Sequence, residues 1–240
     1  AENLVNKVYK SSQFAVVSQS TYEEFINRGF PKENFRIITN AIDHSEFQFM
    51  HNTKITDEYH IAYFGRLKKY KRVDHLFYAF HQFAKEYPKS KLEIIGSGDF
   101  EPYLKKLARK LNIQDKTSFY GFVRDEEKKQ LLMDVDVVVN TSQKEGWGIT
   151  NIEANACGTP VISANVPGLR DSVKNYQSGL LYEFGNIEDL KNKLIELLTN
   201  QQLYAQMQKG AIDWAESFDW DISARQMLQY CEDVISNFKK

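Results

Sequence analysis

The sequence predicts an α/β fold, a parallel sheet with helices on both faces. Three observations carry that expectation. From His60 onward, short apolar runs of strand length alternate with longer amphipathic runs of helix length. The apolar runs are near-continuous (Ile61-Ala-Tyr-Phe64, Val137-Val-Val139), as in strands buried on both faces. Glycines cluster where these runs give way to helices, at Gly65, Gly96, Gly98, Gly121 and Gly148.

In order, Phe14–Ser18 reads as a buried strand. Ser20–Arg28 reads as a capped helix stopped by Gly29, and Phe35–Thr39 as a second strand. This strand–helix–strand unit is too small to bury a core alone. Before it, Glu2–Tyr9 has a helical pattern. The chain begins at Ala1 without Met, which suggests a piece of a longer protein or a processed product. Residues 44–58 are polar and aperiodic, as in a linker. The regular alternation then gives strand His60–Phe64, helix Val73–Tyr87, strand Lys91–Ile95 and helix Phe100–Leu111. It continues with strand Thr117–Tyr120, helix Glu126–Met133 and strand Asp136–Asn140. A helix through Ile152–Cys157, ended by Gly158-Thr-Pro160, leads to strands Val161–Ser163 and Gly179–Tyr182. Helices Ile187–Thr199, Gln202–Phe218 and Asp221–Phe238 close the chain. The architecture is Rossmann-like, so a ligand is expected beyond the carboxyl ends of the strands.

Composition narrows the function. The chain has 240 residues, 42% of them hydrophobic, and 31 basic residues balance 32 acidic ones, which gives no electrostatic case for nucleic acid. No apolar run reaches membrane-spanning length. Two cysteines, Cys157 and Cys231, suit a reducing compartment, and Cys157 reads as a small core residue. Five histidines lack metal-ligand spacing, and no Gly-x-Ser-x-Gly occurs. Asp134-Val-Asp136 and Asp219-Trp-Asp221 spell D-x-D, but the first introduces a strand and Asp221 stands where a helix cap belongs, so both read as structural.

The densest signal is Glu145-Gly-Trp-Gly-Ile-Thr-Asn-Ile-Glu153. Its two carboxylates lie eight positions apart, and Gly148 falls just before a helix N-terminus, where unpaired N–H groups and the positive dipole end favour an anion. A ligand with a central phosphate and hydroxyls at both ends would suit this layout, as in a nucleotide-sugar. The stretch resembles the E-x7-E motif of retaining glycosyltransferases of family 4, which have the two-Rossmann GT-B architecture. Gly65-Arg66-Leu-Lys-Lys-Tyr-Lys71-Arg72 resembles that family's G-R-L-x-x-x-K-G segment, with Arg72 in place of Gly. Gly96-Ser-Gly98 resembles its G-x-G turn, and Tyr120-Gly-Phe-Val123-Arg124 the stretch that faces the nucleobase. Asn40-Ala-Ile-Asp43 resembles the N-G-[VI]-D that closes the N-terminal domain, with Ala41 for Gly, and Phe218-Asp-Trp220 the F-x-W before the last helix.

The resemblance implies that the chain is the C-terminal, donor-binding half of a GT-B fold with a strand–helix–strand remnant of the N-terminal domain. Residues 1–45 would be that remnant, 46–58 a linker, 59–218 the donor domain and 219–240 a helix crossing back. It assigns Arg66 and Lys71 to the donor diphosphate, Glu145 to the transferred sugar and Glu153 to the ribose. The amides of Gly148, Ile149 and Thr150 would meet phosphate and sugar, with Gly65, Gly96, Gly98 and Val123 lining the donor site. No metal or cofactor is expected, only a UDP- or GDP-type nucleotide-sugar as substrate.

The implied activity is retaining hexosyl transfer in polysaccharide or glycoconjugate biosynthesis. The acceptor (glycan, lipid-linked or other) would be bound by the missing half, through which peripheral membrane association also stays open. A cytoplasmic location is expected, and this chain alone should bind nucleotide but transfer little or no sugar. Two alternatives remain: a nucleotide-sugar binding module without transferase activity, and a GT-B-like sugar-nucleotide 2-epimerase.

Overall fold

The computed structural model describes residues 8–47 and 58–238. Most of the expected Glu2–Tyr9 helix and of the 46–58 linker lies outside the described residues.

The first unit is small. Strand β1 (Phe14–Val16), helix α1 (Gln19–Asn27) and strand β2 (Phe35–Ile37) form a two-stranded parallel sheet with one crossover helix. Phe14, Phe25, Phe30 and Phe35 interlock as its core, with Phe14 and Phe35 stacked at 5.0 Å and Phe25 edge-on to Phe30 at 5.4 Å. The helix expected over Ser20–Arg28 begins at Gln19, and its cap is Ser18, whose hydroxyl accepts the Thr21 N–H at 3.1 Å. Taking Ser18 as a cap ends β1 at Val16, two residues before the expected strand end.

The main unit is a six-stranded sheet built from β3 (His60–Phe64), β4 (Lys91–Ile95), β5 (Thr117–Gly121), β6 (Val137–Asn140), β7 (Val161–Ala164) and β8 (Gly179–Tyr182). The spatial order is β5-β4-β3-β6-β7-β8, and every neighbouring pair is parallel. Alternate side chains divide the core into two layers. Ile61, Tyr63, Leu92, Ile94, Val137, Val139 and Ile162 face α2 (Val73–Glu86), α3 (Glu101–Lys110) and α6 (Ile187–Thr199). There Phe77, Phe80 and Phe83 are fully buried, each contributing about 1.5–3 kcal/mol. Ala62, Ile95, Val138 and Val161 face α4 (Asp125–Asp134) and α5 (Ile149–Ala156) through Leu132 and Ala154. Burial on both faces explains why these strands lack polar alternation in the sequence.

Strand order reverses between β3 and β6, which are neighbours although β4 and β5 separate them in the chain. In an open α/β sheet this opens a crevice at the carboxyl ends of those two strands.

The two units are tied together at the C-terminus. Helix α7 (Gln201–Ala215) leads to Phe218, whose ring sits edge-on to Trp147 at 5.2 Å and to Trp214 at 4.8 Å. Ile42 donates to the Phe218 carbonyl at 3.2 Å, and Ala41 and Ile42 join the same cluster. Helix α8 (Trp220–Phe238) then lies against the first unit: the Tyr230 hydroxyl is 3.2 Å from the Phe14 carbonyl and 3.0 Å from that of Asn34. Its cap is Asp219, which accepts the N–H groups of Asp221 and Ile222, so the expected cap at Asp221 is corrected by two residues. In the other D-x-D pair, Asp136 accepts the His60 N–H at 2.6 Å, which locks the start of β3 to that of β6.

Candidate functional site

Two loops flank the crevice. After β3 the chain turns at Gly65 and passes through a single 3-10 turn at Lys69–Lys71. After β6 it runs from Thr141 to Gly148 before α5 begins. The loops are pinned to each other by the Thr141 hydroxyl, which donates to the Lys71 carbonyl at 2.8 Å, and by Gln143 N–H to the Tyr70 carbonyl at 3.0 Å. Between them the Lys71 ammonium bonds the Glu145 carboxylate, with both side chains largely buried, at 15% and 17% exposure. Lys71 also lies 5.2 Å from the Tyr70 ring centroid.

Each partner has its own support. Arg72, where the sequence departs from glycine, closes the turn in a left-handed conformation (φ 49°), and its guanidinium is held by Asp74 at 3.1 Å. The buried Tyr63 hydroxyl donates to the Arg66 carbonyl at 3.1 Å. Burial raises that phenol's pKa, and the charge of Glu145 pushes it further in the same direction. Arg66 itself is exposed at the rim. Behind Glu145, Gly168 (φ +82°) comes so close that an added Cβ would lie 2.0 Å from the Glu145 carbonyl oxygen.

Helix α5 starts at Ile149 with Gly148 as its cap residue, as the sequence predicts, and no side chain caps it. Its leading N–H groups and positive dipole end therefore face out of the helix at the crevice. A buried amide network fixes this end. Asn140 reaches Asn151 at 3.3 Å and Thr150 at 3.4 Å, and Asn151 donates to the Ser172 hydroxyl at 2.9 Å.

Glu153 lies one turn inside α5, where the Lys128 ammonium, from α4, meets its Oε1 at 3.1 Å. Lys128 is held also by Asp125 at 3.1 Å and sits 5.6 Å from the Phe64 ring centroid. Burial works against its charge, but Glu153 and Asp125 outweigh it and leave its pKa above the ordinary lysine value.

The glycines after β4 pack closely against the loop that follows β3. A Cβ on Gly96 would lie 2.0 Å from the Gly65 carbonyl oxygen, and one on Gly98 would lie 2.1 Å from that of Leu67. They let the two loops touch backbone to backbone, laced by Gly65 N–H to the Ile95 carbonyl and Leu67 N–H to that of Ser97, both 2.9 Å. The close partner is the chain itself. Val123, half-buried after β5, packs on the core layer beneath α4.

The sequence-predicted residues thus lie at the carboxyl ends of the strands. Glu145 meets Lys71, Gly148 through Thr150 form the open helix end, and Gly65, Gly96 and Gly98 build one packed corner. Sequence reasoning missed Lys128, Asn140, Thr141 and Asn151. The polar run Asn140-Thr-Ser142 directly after an apolar strand was a usable signal for the asparagine and threonine; Lys128, in Glu126-Glu-Lys-Lys-Gln130, had none. No group of three or more metal-ligating side chains occurs among the described residues, and no described helix is long and apolar enough to cross a membrane.

The site touches the first unit through α1. Lys144 bonds Glu24 at 2.8 Å, an interaction that lowers the Glu24 pKa, and Arg170 donates to the Ser20 hydroxyl at 3.1 Å.

Comparison with known proteins gives this geometry its context. The profile of the family described as Glycosyl transferases group 1 matches residues 45–214. An uncharacterized glycosyltransferase of Methanocaldococcus jannaschii is 30% identical over 233 residues, covering 92% of this chain and 60% of the relative. The N-acetyl-alpha-D-glucosaminyl L-malate synthase of Bacillus anthracis is 26% identical, covering 85% and 55%. The chain therefore spans roughly three-fifths of the length of these relatives. Among solved structures, Anabaena HepE in complex with UDP-glucose superposes with a TM-score of 0.86 at 22% identity, over 96% of this chain and 67% of that one. The α/β fold with its parallel six-stranded sheet matches such GT-B neighbours.

Proposed function

The chain belongs to the glycosyl transferases group 1 family, and from that membership we propose that it forms the donor-binding part of a retaining glycosyltransferase of family 4 type. The observation that carries the reading is the Lys71–Glu145 contact beside the open N-terminus of α5, at the strand-order reversal. A cation, a helix end and a carboxylate in one crevice suit a diphosphate joined to a sugar.

In this reading the diphosphate lies against the α5 amides, between Lys71 and Arg66. As the bond to the sugar breaks, negative charge grows on the leaving phosphate, and two fixed cations and the helix dipole stabilise it. These groups carry the charge without a metal ion. Glu145 passes from Lys71 toward the sugar, where it orients hydroxyls and steadies positive charge at the anomeric carbon. Retention follows a front-face route, with a donor phosphate oxygen taking the acceptor proton. Glu153 holds the ribose hydroxyls, and the backbone near Val123 faces the base.

The donor is a UDP- or GDP-sugar; structural neighbours crystallised with UDP and UDP-glucose support the uridine form. The acceptor is assigned to the portion of the relatives that this chain does not match, and membrane-peripheral contact would come through it. The protein works in the cytoplasm, and the 240-residue chain alone binds nucleotide but transfers little sugar.

The test is a thermal-shift panel of UDP, GDP, ADP and their sugars on this chain, followed by product analysis on a protein carrying both halves. A shift with one diphosphate series and a glycosylated acceptor of retained anomeric configuration, undiminished by EDTA, are the expected results. Epimerised donor, or binding without any product, would replace the transferase reading.

A further inference from the structure

Lys128 has no part in the chemistry described above, yet its side chain is as little exposed as that of Lys71 and meets two carboxylates. It lies on α4, which crosses from β5 to β6, and its ammonium reaches sideways to Glu153 on α5. The two side chains are 14% and 15% exposed. Its second carboxylate partner, Asp125, is 75% exposed and stands three residues back on the same helix, so it tethers the ammonium from the solvent side. The Phe64 ring, at the end of β3, lies 5.6 Å away. The ammonium is thus held from three directions, by α4 itself, by α5 and by the last residue of β3.

An ion pair this far out of water adds little net stability, because desolvation of both charges offsets their attraction. What it supplies is direction. A glutamate has three side-chain torsions, and a fixed ammonium on Oε1 selects among them. A carboxylate offers about four acceptor positions, so one ammonium does not exhaust it. We infer that Lys128 is a positioning residue for the donor ribose: it orients the Glu153 carboxylate so that the ribose hydroxyls meet an acceptor already in place. This inference rests on the assignment of Glu153 to the ribose under the proposed function. Lys128 acts through Glu153 and does not touch the nucleotide. Losing it removes the ammonium that fixes Oε1, and part of the binding energy is then spent on ordering the carboxylate.

Calorimetric titration separates this role from a structural one. The probes are UDP and 2′,3′-dideoxy-UDP, or the guanosine pair if GDP binds more tightly. The wild-type chain should bind the dideoxy compound at least about tenfold more weakly, the scale of a charge-assisted hydrogen bond. Lys128→Met should weaken UDP about tenfold and move the dideoxy compound by no more than about twofold, because the interaction that Lys128 supports is already absent there. Lys128→Arg should keep most of the ribose preference. If Lys128→Met fails to fold, Lys128→Gln carries the same comparison.

Equal weakening of both compounds would make Lys128 a scaffold residue and overturn the inference, as would unchanged UDP binding. A wild-type chain indifferent to the hydroxyls would instead remove the ribose assignment of Glu153 itself, and this inference with it.

Discussion

Replacing Lys71 with alanine tests the site twice, once without ligand and once with it. Lys71 and Glu145 are about five-sixths buried, and removing one partner of a fully buried pair costs about 3–5 kcal/mol. Partial exposure lets water reach the stranded carboxylate, so the cost here should be about 1–3 kcal/mol. For a chain of this size, 1 kcal/mol corresponds to roughly 2–4 °C in Tm, so the ligand-free variant should melt roughly 2–12 °C lower. Ligand binding adds a separate term. A nucleotide at a hundred times its Kd stabilises the wild type by about 2.7 kcal/mol. Losing a charged hydrogen bond of about 1.5–3 kcal/mol weakens binding by about one to two orders of magnitude. At a hundredfold loss, the same ligand concentration equals the new Kd and stabilises by only about 0.4 kcal/mol.

The control is Glu145→Gln. It breaks the same ion pair and should lower the ligand-free Tm by a similar amount, but it leaves the ammonium available to the diphosphate. Its nucleotide-induced shift should match or exceed that of the wild type. Differential scanning fluorimetry of the three proteins, with and without UDP or GDP, gives all six values. A wild-type shift in Lys71→Ala would falsify the diphosphate assignment. Equal loss in both variants would show that the pair matters as structure and not as two separate roles.

Further outcomes follow from other parts of the structure. Gly168→Ala places a Cβ 2.0 Å from the Glu145 carbonyl oxygen at a φ of +82°. It should cost about 2–4 kcal/mol in urea unfolding, the sum of a left-handed alanine and overpacking. Gly29→Ala, at φ +85° with nothing nearby, should cost only about 1 kcal/mol. Burial pushes the Cys157 thiol up to about 12 while Cys231 is exposed, so Ellman's reagent at pH 8 should titrate one thiol rapidly in the native chain and two in urea. Burial first, then the Arg72 charge, holds His75 below the ordinary histidine value of 6.5. Between pH 6.5 and that depressed value the unfolded chain binds the extra proton, so stability falls as pH drops through this window. His75→Gln should flatten that slope in urea midpoints measured across it.

Much of the fold was legible because one physical signal repeats. Strands β3, β4 and β8 and helix α6 fall on the residues that alternation and flanking breakers predict. Where a cap decided a boundary, the sequence was less direct. Ser18 and Ser20 both offer a hydroxyl, as Asp219 and Asp221 both offer a carboxylate, and the backbone geometry two residues away selects between them. The chemistry of Glu145 and Lys71 was legible as residue types in recognisable segments. Their contact was not, since 74 residues separate them and only the reversal that seats β6 beside β3 brings them together. No local pattern encodes strand order. Lys128 is a harder case, because a mostly polar helix with adjacent lysines gives no sign of which one turns inward.

The glycines show where sequence reasoning stops for a physical reason. A glycine between strand and helix says that something comes too close for a Cβ, and it does not say what. At Gly96 and Gly98 the neighbour is the carbonyl backbone of the β3 loop; at Gly168 it is that of Glu145. In each case the requirement is met inside the chain, and its effect is to set the position of a loop bearing Arg66 and Lys71 or of the loop bearing Glu145. The glycines therefore act on the site at one remove: they fix where the charges stand. Substituting them should disturb both the ligand-free fold and the Lys71–Glu145 contact, whereas a glycine reserved for a ligand would leave the free protein unchanged.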